Sequence, residues 1–312
     1  TDTYSYVRTF TNSLPITWDL LVEYLSKKEF LYTIYVGTVR RFTANYTMFL
    51  LPIAIFYITA VARFIKKYSS IPAISFILFM SMGYFSFSMA GLRQAIAMGV
   101  LLFATDKMLD KKYVSAGLLI LLASGFHITT LIYFVALALC FLPLNKWFIA
   151  LTAIISTSFY FAGNDLTNKI VEIVWGEERG YKEFEYGGIS ILILLIIVAV
   201  ATFVFYPNIL EYSKTRKLKK DNTLEIDTLF AKMLLFSIPF QVMAMYQANA
   251  FRIAMMFHFS MIALLPNVIS KQKSRAVKII ANIVVALLLL YQLFAITYWS
   301  ADINPFTFFW QV

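Results

Sequence analysis

Charge-free apolar windows divide the chain at Asn45 to Val61, Ile71 to Leu92, Ala95 to Thr105, Tyr113 to Gly125, Phe126 to Asn145, Trp147 to Gly163, Gly187 to Leu210 and Ile279 to Ser300. Two further windows carry one ionisable group each: Leu229 to Phe251 has Lys232 near its start, and Ile253 to Ser270 has His258. A helix needs roughly 20 apolar residues to cross a bilayer, and within lipid it must satisfy its own backbone hydrogen bonds. The pattern therefore predicts an all-α integral membrane protein, a polytopic bundle of about ten transmembrane helices, some of them short, tilted or broken. Thr17 to Phe42 instead mixes Trp18, Leu21, Leu25, Phe30, Ile34 and Val36 with charges, which predicts an amphipathic helix lying at the membrane surface. Without a repeat of 20 to 50 residues, a low-complexity tract or a Pro/Gly/Ser linker, residues 1–312 are expected to form a single polytopic domain.

Composition narrows the class. Of 312 residues, 60% are hydrophobic and only 14% charged, and the mean hydropathy is +0.73. A soluble domain carries about a quarter charged residues, so a water-soluble protein is excluded. Cys140 is the single cysteine and His127 and His258 the only histidines, which leaves no intrachain disulfide and little with which to hold a metal. The chain opens at Thr1 without methionine or a charged-then-apolar leader, and reads as a fragment or a processed product.

Lysine and arginine accumulate on the cytoplasmic side of membrane proteins. The connections with Arg63/Lys66/Lys67, Lys107/Lys111/Lys112, Lys214/Arg216/Lys217/Lys219/Lys220 and Lys271/Lys273/Arg275/Lys278 are thereby assigned inside. Alternation places the segment 1–44, the Ala90 to Arg93 turn, the loop 164–186, Asn249 to Arg252 and the tail from Ala301 outside. It requires Tyr113 to Asn145 to cross twice, reversing near Ser124-Gly125-Phe126-His127. On this topology the inner side holds 17 basic and 6 acidic residues and the outer side 10 and 11. The net charge of +10 is then a topological signature, with no call on a nucleic-acid partner.

The unusual polar residues gather on the outer side. Arg93 and Gln94 stand between two apolar spans, and Arg252 repeats the situation at the end of another helix. For each arginine the bland alternative is snorkelling to lipid phosphates. His127 follows Gly125-Phe126 at the expected reversal, where an imidazole can exchange a proton near neutral pH, or can equally serve as a buried hydrogen-bonding ring. His258, six residues inside Arg252, is read as structural. Planar guanidinium groups grip phosphate through paired hydrogen bonds, and two of them suit a diphosphate. The loop 164–186 sets Trp175, Tyr181, Phe184 and Tyr186 among Asp165, Glu172, Glu177, Glu178, Glu183 and Glu185, a composition that suits sugar rings and equally an interfacial belt. Phosphate-loop, His-Glu-x-x-His, Gly-x-Ser-x-Gly, Gly-x-Gly-x-x-Gly and Asp-x-Asp motifs are absent, so no cofactor is expected, and any glycosyl transfer would be metal-independent. Asp19, Glu177 and Glu178 are candidate bases. The nearly charge-free span interiors argue against transport, which calls for repeat symmetry and charges near the bilayer midplane.

Thr1-Asp2-Thr3-Tyr4-Ser5-Tyr6, Gly91-Leu92-Arg93-Gln94-Ala95-Ile96-Ala97, Ala123-Ser124-Gly125-Phe126-His127-Ile128-Thr129 and Arg252 before an apolar helix ending at Leu265-Pro266 come in an order that resembles EpsG-type exopolysaccharide membrane proteins, which are related to the Wzy polysaccharide polymerases. The resemblance runs from Thr1 to about Ser270. It implies a membrane glycosyltransferase with a GT-C-like helical fold, joining undecaprenyl-diphosphate-linked oligosaccharide repeat units at the outer leaflet of a bacterial plasma membrane. Arg93, Gln94, Arg252, Asp2 and Tyr6 would bind substrate, and His127 would be the catalytic residue. Membrane lipid, a chain-length regulator and a flippase are the implied partners. A flippase or exporter, or a transferase adding a single unit, is the alternative activity.

Overall fold

The computed structural model describes residues 2–175, 188–206, 209 and 222–295. Among these the chain is helical and contains no strand. It forms two compact units, the first built on residues 1–67 and 79–137, the second on 68–78 and 138–292. Among the described residues five helices are long and apolar enough to cross a membrane, or six if the bent pair Pro72–Ser81 and Tyr84–Ala90 is one span. The expected ten crossings are thus not reached among the described residues. Tyr113–Phe126, Ile128–Leu139 and Ile189–Phe205 form apolar helices of shorter length.

In the first unit, α1 (Asp2–Asn12), α2 (Trp18–Leu25) and α3 (Phe30–Phe42) precede α4 (Tyr46–Tyr68); α5 (Pro72–Ser81), whose residues 72–78 belong to the second unit, and α6 (Tyr84–Ala90) lead to α7 (Leu92–Leu109) and α8 (Tyr113–Phe126). A 3-10 turn (Ile128–Tyr133) and α9 (Phe134–Leu139) follow, with the last two residues of α9 belonging to the second unit. The expected single surface helix over 17–42 is two helices, interrupted at 26–29. Thr17 caps the start of α2, and the Ser26 hydroxyl closes its end on the Glu23 carbonyl at 2.7 Å. Only α2, with its lead-in, keeps an exposed apolar stripe: Leu14, Trp18, Val22 and Leu25. By contrast α3 buries Tyr32 and Val36 in a core with Phe10, Phe49, Ile53, Leu92 and Ile96. Phe10 stacks on Phe49 at 4.6 Å, and the Tyr35 hydroxyl donates to the Phe49 carbonyl at 2.6 Å. Burial of each ring is worth roughly 1.5–3 kcal/mol where the alternative is water.

The α7–α8 pair sets the two ends of this unit. The helices are antiparallel neighbours joined by a short turn in which Lys111 takes a positive φ of 61°. Gly99 lets α4 approach α7, since a Cβ there would stand 2.6 Å from the Phe56 ring. Arg93 at the start of α7 and His127 just past the end of α8 share one end; Asp106 lies about 20 Å further along α7. Buried Asp106 accepts from Arg63 and, at 3.1 Å, from Lys67. The Arg63 guanidinium also lies 4.8 Å from the Phe103 ring centroid. The chain turns back at His127: Tyr133 reaches Thr105, next to Asp106, with a 2.8 Å hydroxyl–hydroxyl bond.

The second unit holds α10 (Lys146–Trp175), kinked at Gly163 with φ 54°, then α11 (Ile189–Phe205), α12 (Asn222–Met243), α13 (Ala248–His258), α14 (Met261–Ser270) and α15 (Arg275–Ala295). The span Asn249–Ser270 is 94% buried and Thr223–Met243 83%, against 6% for Lys146–Gly163. Polar side chains follow that division, because a polar group facing lipid has no partner. Asn267 donates to the Tyr68 carbonyl at 2.9 Å and to Asp227 Oδ1 at 2.7 Å, and accepts from the Ser70 backbone and hydroxyl. At the other end of the unit Gln241 donates to the Gly188 carbonyl at 3.2 Å.

The window Leu229 to Phe251 places Lys232 near a helix start, but α12 begins at Asn222, so Lys232 is about 15 Å into the helix and buried, with Asp227 also buried. The span interior is therefore not charge-free. Lys232 donates to the carbonyls of Leu139 and, at 2.9 Å, Leu142, just as Asn267 serves Asp227. These contacts between distant segments offset the desolvation that a charge boundary in the sequence signals.

Candidate functional site

The break between α2 and α3 places Glu29 at the threshold of α3, beside the ends of α7 and α8. Its two carboxylate oxygens serve different partners. Oε2 accepts from the Arg93 guanidinium, while Oε1 lies 2.8 Å from His127 Nδ1 and 3.4 Å from the Ile128 backbone N–H. Gly125 permits this approach: a Cβ there would meet Leu31 Cδ1 at 2.6 Å, so a side chain larger than one methyl would wedge α3 from α8.

Exposure grades across the cluster. The Arg93 side chain is 43% exposed, Glu29 15% and His127 10%. The guanidinium therefore opens outward while the imidazole faces inward, and His127 Nε2 is buried without a partner among the described residues. Burial alone would raise the Glu29 carboxyl, but the hydrogen bond from His127 and the Arg93 charge outweigh it and hold the group below its ordinary value of 4.5. The carboxylate is thus ionised at neutral pH. Tyr32 lies under the guanidinium at 5.8 Å, and Tyr6 meets Tyr32 edge-on at 6.3 Å. Burial pushes the Tyr32 hydroxyl well above its usual range, so it stays neutral.

The structure brings together Arg93, His127 and Tyr6 of the expected residues, around a carboxylate that sequence reasoning missed. Glu29 was one charge among several in an amphipathic stretch, and its partners lie 64 and 98 residues away. No local pattern marks it. Gln94, one step around α7, is turned into the interior of the unit. Arg252 belongs to the second unit, half-buried in α13 at the end where the Tyr246 hydroxyl donates to the Tyr160 carbonyl at 3.2 Å. His258 is wholly buried there, its ring 6.2 Å from that of Phe251, in keeping with a structural role. Asp19 is exposed in the first turn of α2. The Asp2 side chain and those of Asp165, Glu172, Trp175, Glu177, Glu178, Tyr181, Glu183, Phe184, Glu185 and Tyr186 lie outside the described residues.

Chemically, the cluster combines a half-open cation able to meet an anion, a buried imidazole nitrogen without a partner among the described residues, and the partly exposed ring of Tyr6. Among the described residues no group of His, Cys, Asp and Glu is arranged to hold a metal ion. The model of the EpsG family matches residues 1–308 of the chain. Comparison with curated proteins and with solved structures gave no match.

Proposed function

This chain belongs to the EpsG family, and from that premise we propose that it is a polysaccharide polymerase joining undecaprenyl-diphosphate-linked oligosaccharide units at the outer leaflet of a bacterial plasma membrane. The observation that carries the proposal is the Glu29 carboxylate clasping Arg93 and His127 at one end of the α7–α8 pair. In this mechanism Arg93 offers its outward donors to the departing diphosphate. The partly exposed Tyr6 ring suits the apolar face of a sugar. The His127 Nε2 atom, buried in the resting site, is uncovered as substrate binds; an acceptor hydroxyl then gives its proton to it as its oxygen bonds to the anomeric carbon, the bond from that carbon to the diphosphate oxygen breaks, and the diphosphate leaves with the electron pair. Diphosphate is already a good leaving group, so orientation and charge stabilisation suffice without a divalent cation.

Transport draws support from Lys232, buried halfway along α12. Yet its ammonium is committed to the Leu139 and Leu142 carbonyls, which makes it a brace between segments of one unit.

Purified protein in lipid nanodiscs, supplied with lipid-linked repeat units with and without chelator, tests the proposal. A ladder of products that survives chelation is expected, shortened by Arg93→Ala. Single additions would identify a monofunctional transferase, and folded protein yielding no product would overturn glycosyl transfer altogether.

A further inference from the structure

We propose that Glu29 is the positioning residue of this site: its carboxylate fixes the His127 ring so that Nδ1 carries the proton and Nε2 is the basic nitrogen. The inference rests on the polymerase function only for the use made of that nitrogen. An ionised carboxylate is acceptor-only, so the 2.8 Å contact between Glu29 Oε1 and His127 Nδ1 requires the ring to donate. The ring's other nitrogen, buried and without a partner among the described residues, then presents a lone pair.

The other carboxylate oxygen makes the orientation robust. Arg93 binds Oε2, and the Ile128 backbone N–H approaches Oε1 at 3.4 Å, so the carboxylate cannot swing away without losing both. The arrangement also joins the two halves of the reaction. When Nε2 takes the proton from the acceptor hydroxyl, the resulting imidazolium faces an anion already in place, and it releases that proton to water once the sugar has been transferred. At the same time Glu29 offsets the Arg93 charge in the resting site. The guanidinium is therefore a positioned cation with outward donors, ready for a diphosphate.

The two histidines make the test direct, since nitrogen-15 histidine labelling of the full chain in nanodiscs reports two rings and His127→Gln identifies which is which. The expected wild-type spectrum has His127 protonated at Nδ1 at neutral pH. Glu29→Gln should reverse this. Arg93 claims the carboxamide oxygen, the amide NH2 is left facing Nδ1, and the ring proton moves to Nε2. The same variant should lower kcat about 100-fold or more while KM changes by less than about threefold, because a base is lost and binding is not. Glu29→Asp keeps an acceptor-only group and should keep the wild-type tautomer with partial turnover. A wild-type ring protonated at Nε2, or a Glu29→Gln protein with tautomer and kcat unchanged, overturns the inference. Should Glu29→Gln fail to fold, the wild-type and Glu29→Asp spectra decide it. A His127→Gln protein with full turnover, alongside the expected wild-type tautomer, removes the proton step from the proposed mechanism and leaves the positioning of the ring upheld.

Discussion

Glu29 and His127 stand 98 residues apart in the chain and 2.8 Å apart in the folded unit. That contact exists only while α3 lies against α8, and the missing side chain of Gly125 leaves room for Leu31 and Phe30 of α3. The Gly125 Cβ position is already 2.6 Å from Leu31 Cδ1 and 3.2 Å from the Phe30 ring, the two residues that follow Glu29. Displacing them displaces the carboxylate.

Gly125→Val is expected to cost about 1–3 kcal/mol through overpacking and to part Glu29 from His127. Gly125→Ala should cost less, because a turn of the Leu31 side chain can admit one methyl. Thermal unfolding in detergent gives the ranking, and nitrogen-15 spectra of His127 show whether the ring has lost its partner.

The Glu29 carboxyl is held below its ordinary value of 4.5, so folding favours its ionised form. Its contribution to stability is fully present above about pH 4.5 and is lost as the pH falls through the lower, folded value. Hydrogen exchange at the Ile128 amide should therefore speed up on acidification below that point, beyond the intrinsic pH dependence of exchange. In Glu29→Gln that extra acceleration should vanish; its persistence would mean another group governs the acid response.

At the opposite end of α7, Asp106 is buried while Arg63 and Lys67 are each about two-fifths exposed. Asp106→Asn is expected to destabilise by about 1–2 kcal/mol, less than the 3–5 of a wholly buried pair, because both cations can recover water or lipid phosphate. In the double variant with Lys67→Met the two losses should fall short of additivity. Full additivity in melting experiments would show that the Lys67 contact contributes nothing.

Asn267 connects α14 to Tyr68, Ser70 and Asp227. Asn267→Ala should cost about 2–5 kcal/mol, since it removes a donor from the buried Asp227 carboxylate and another from the Tyr68 carbonyl. Asn267→Asp should be worse, setting a second carboxylate against the first. Equal melting temperatures for the two variants would exclude electrostatics as the cause.

Helicity, membrane residence and the grouping of helix ends were legible in the sequence. Hydropathy is a local quantity summed along one helix, and basic clusters recur wherever the chain returns to the same end. Within the first unit Arg93 and His127 do share an end, with Arg63, Lys67 and Asp106 at the other, as alternation required. The extent of α12 was not legible. Asp227 and Lys232 read as a boundary, because a charge without its partner implies water, and the partners Asn267 and Leu142 lie 40 and 90 residues away.

The sequence alone therefore determined the solvent each segment prefers and the chemistry at hand, two arginines and a histidine near helix ends. Only the tertiary structure decided that Glu29 joins Arg93 to His127, that Gln94 faces inward, and that the surface segment splits into α2 and an α3 that buries Tyr32 and Val36. The physical reason is that solvent preference belongs to single residues and their near neighbours. A charge pair or hydrogen bond depends on the distance between elements, which the chain order leaves open until the helices pack.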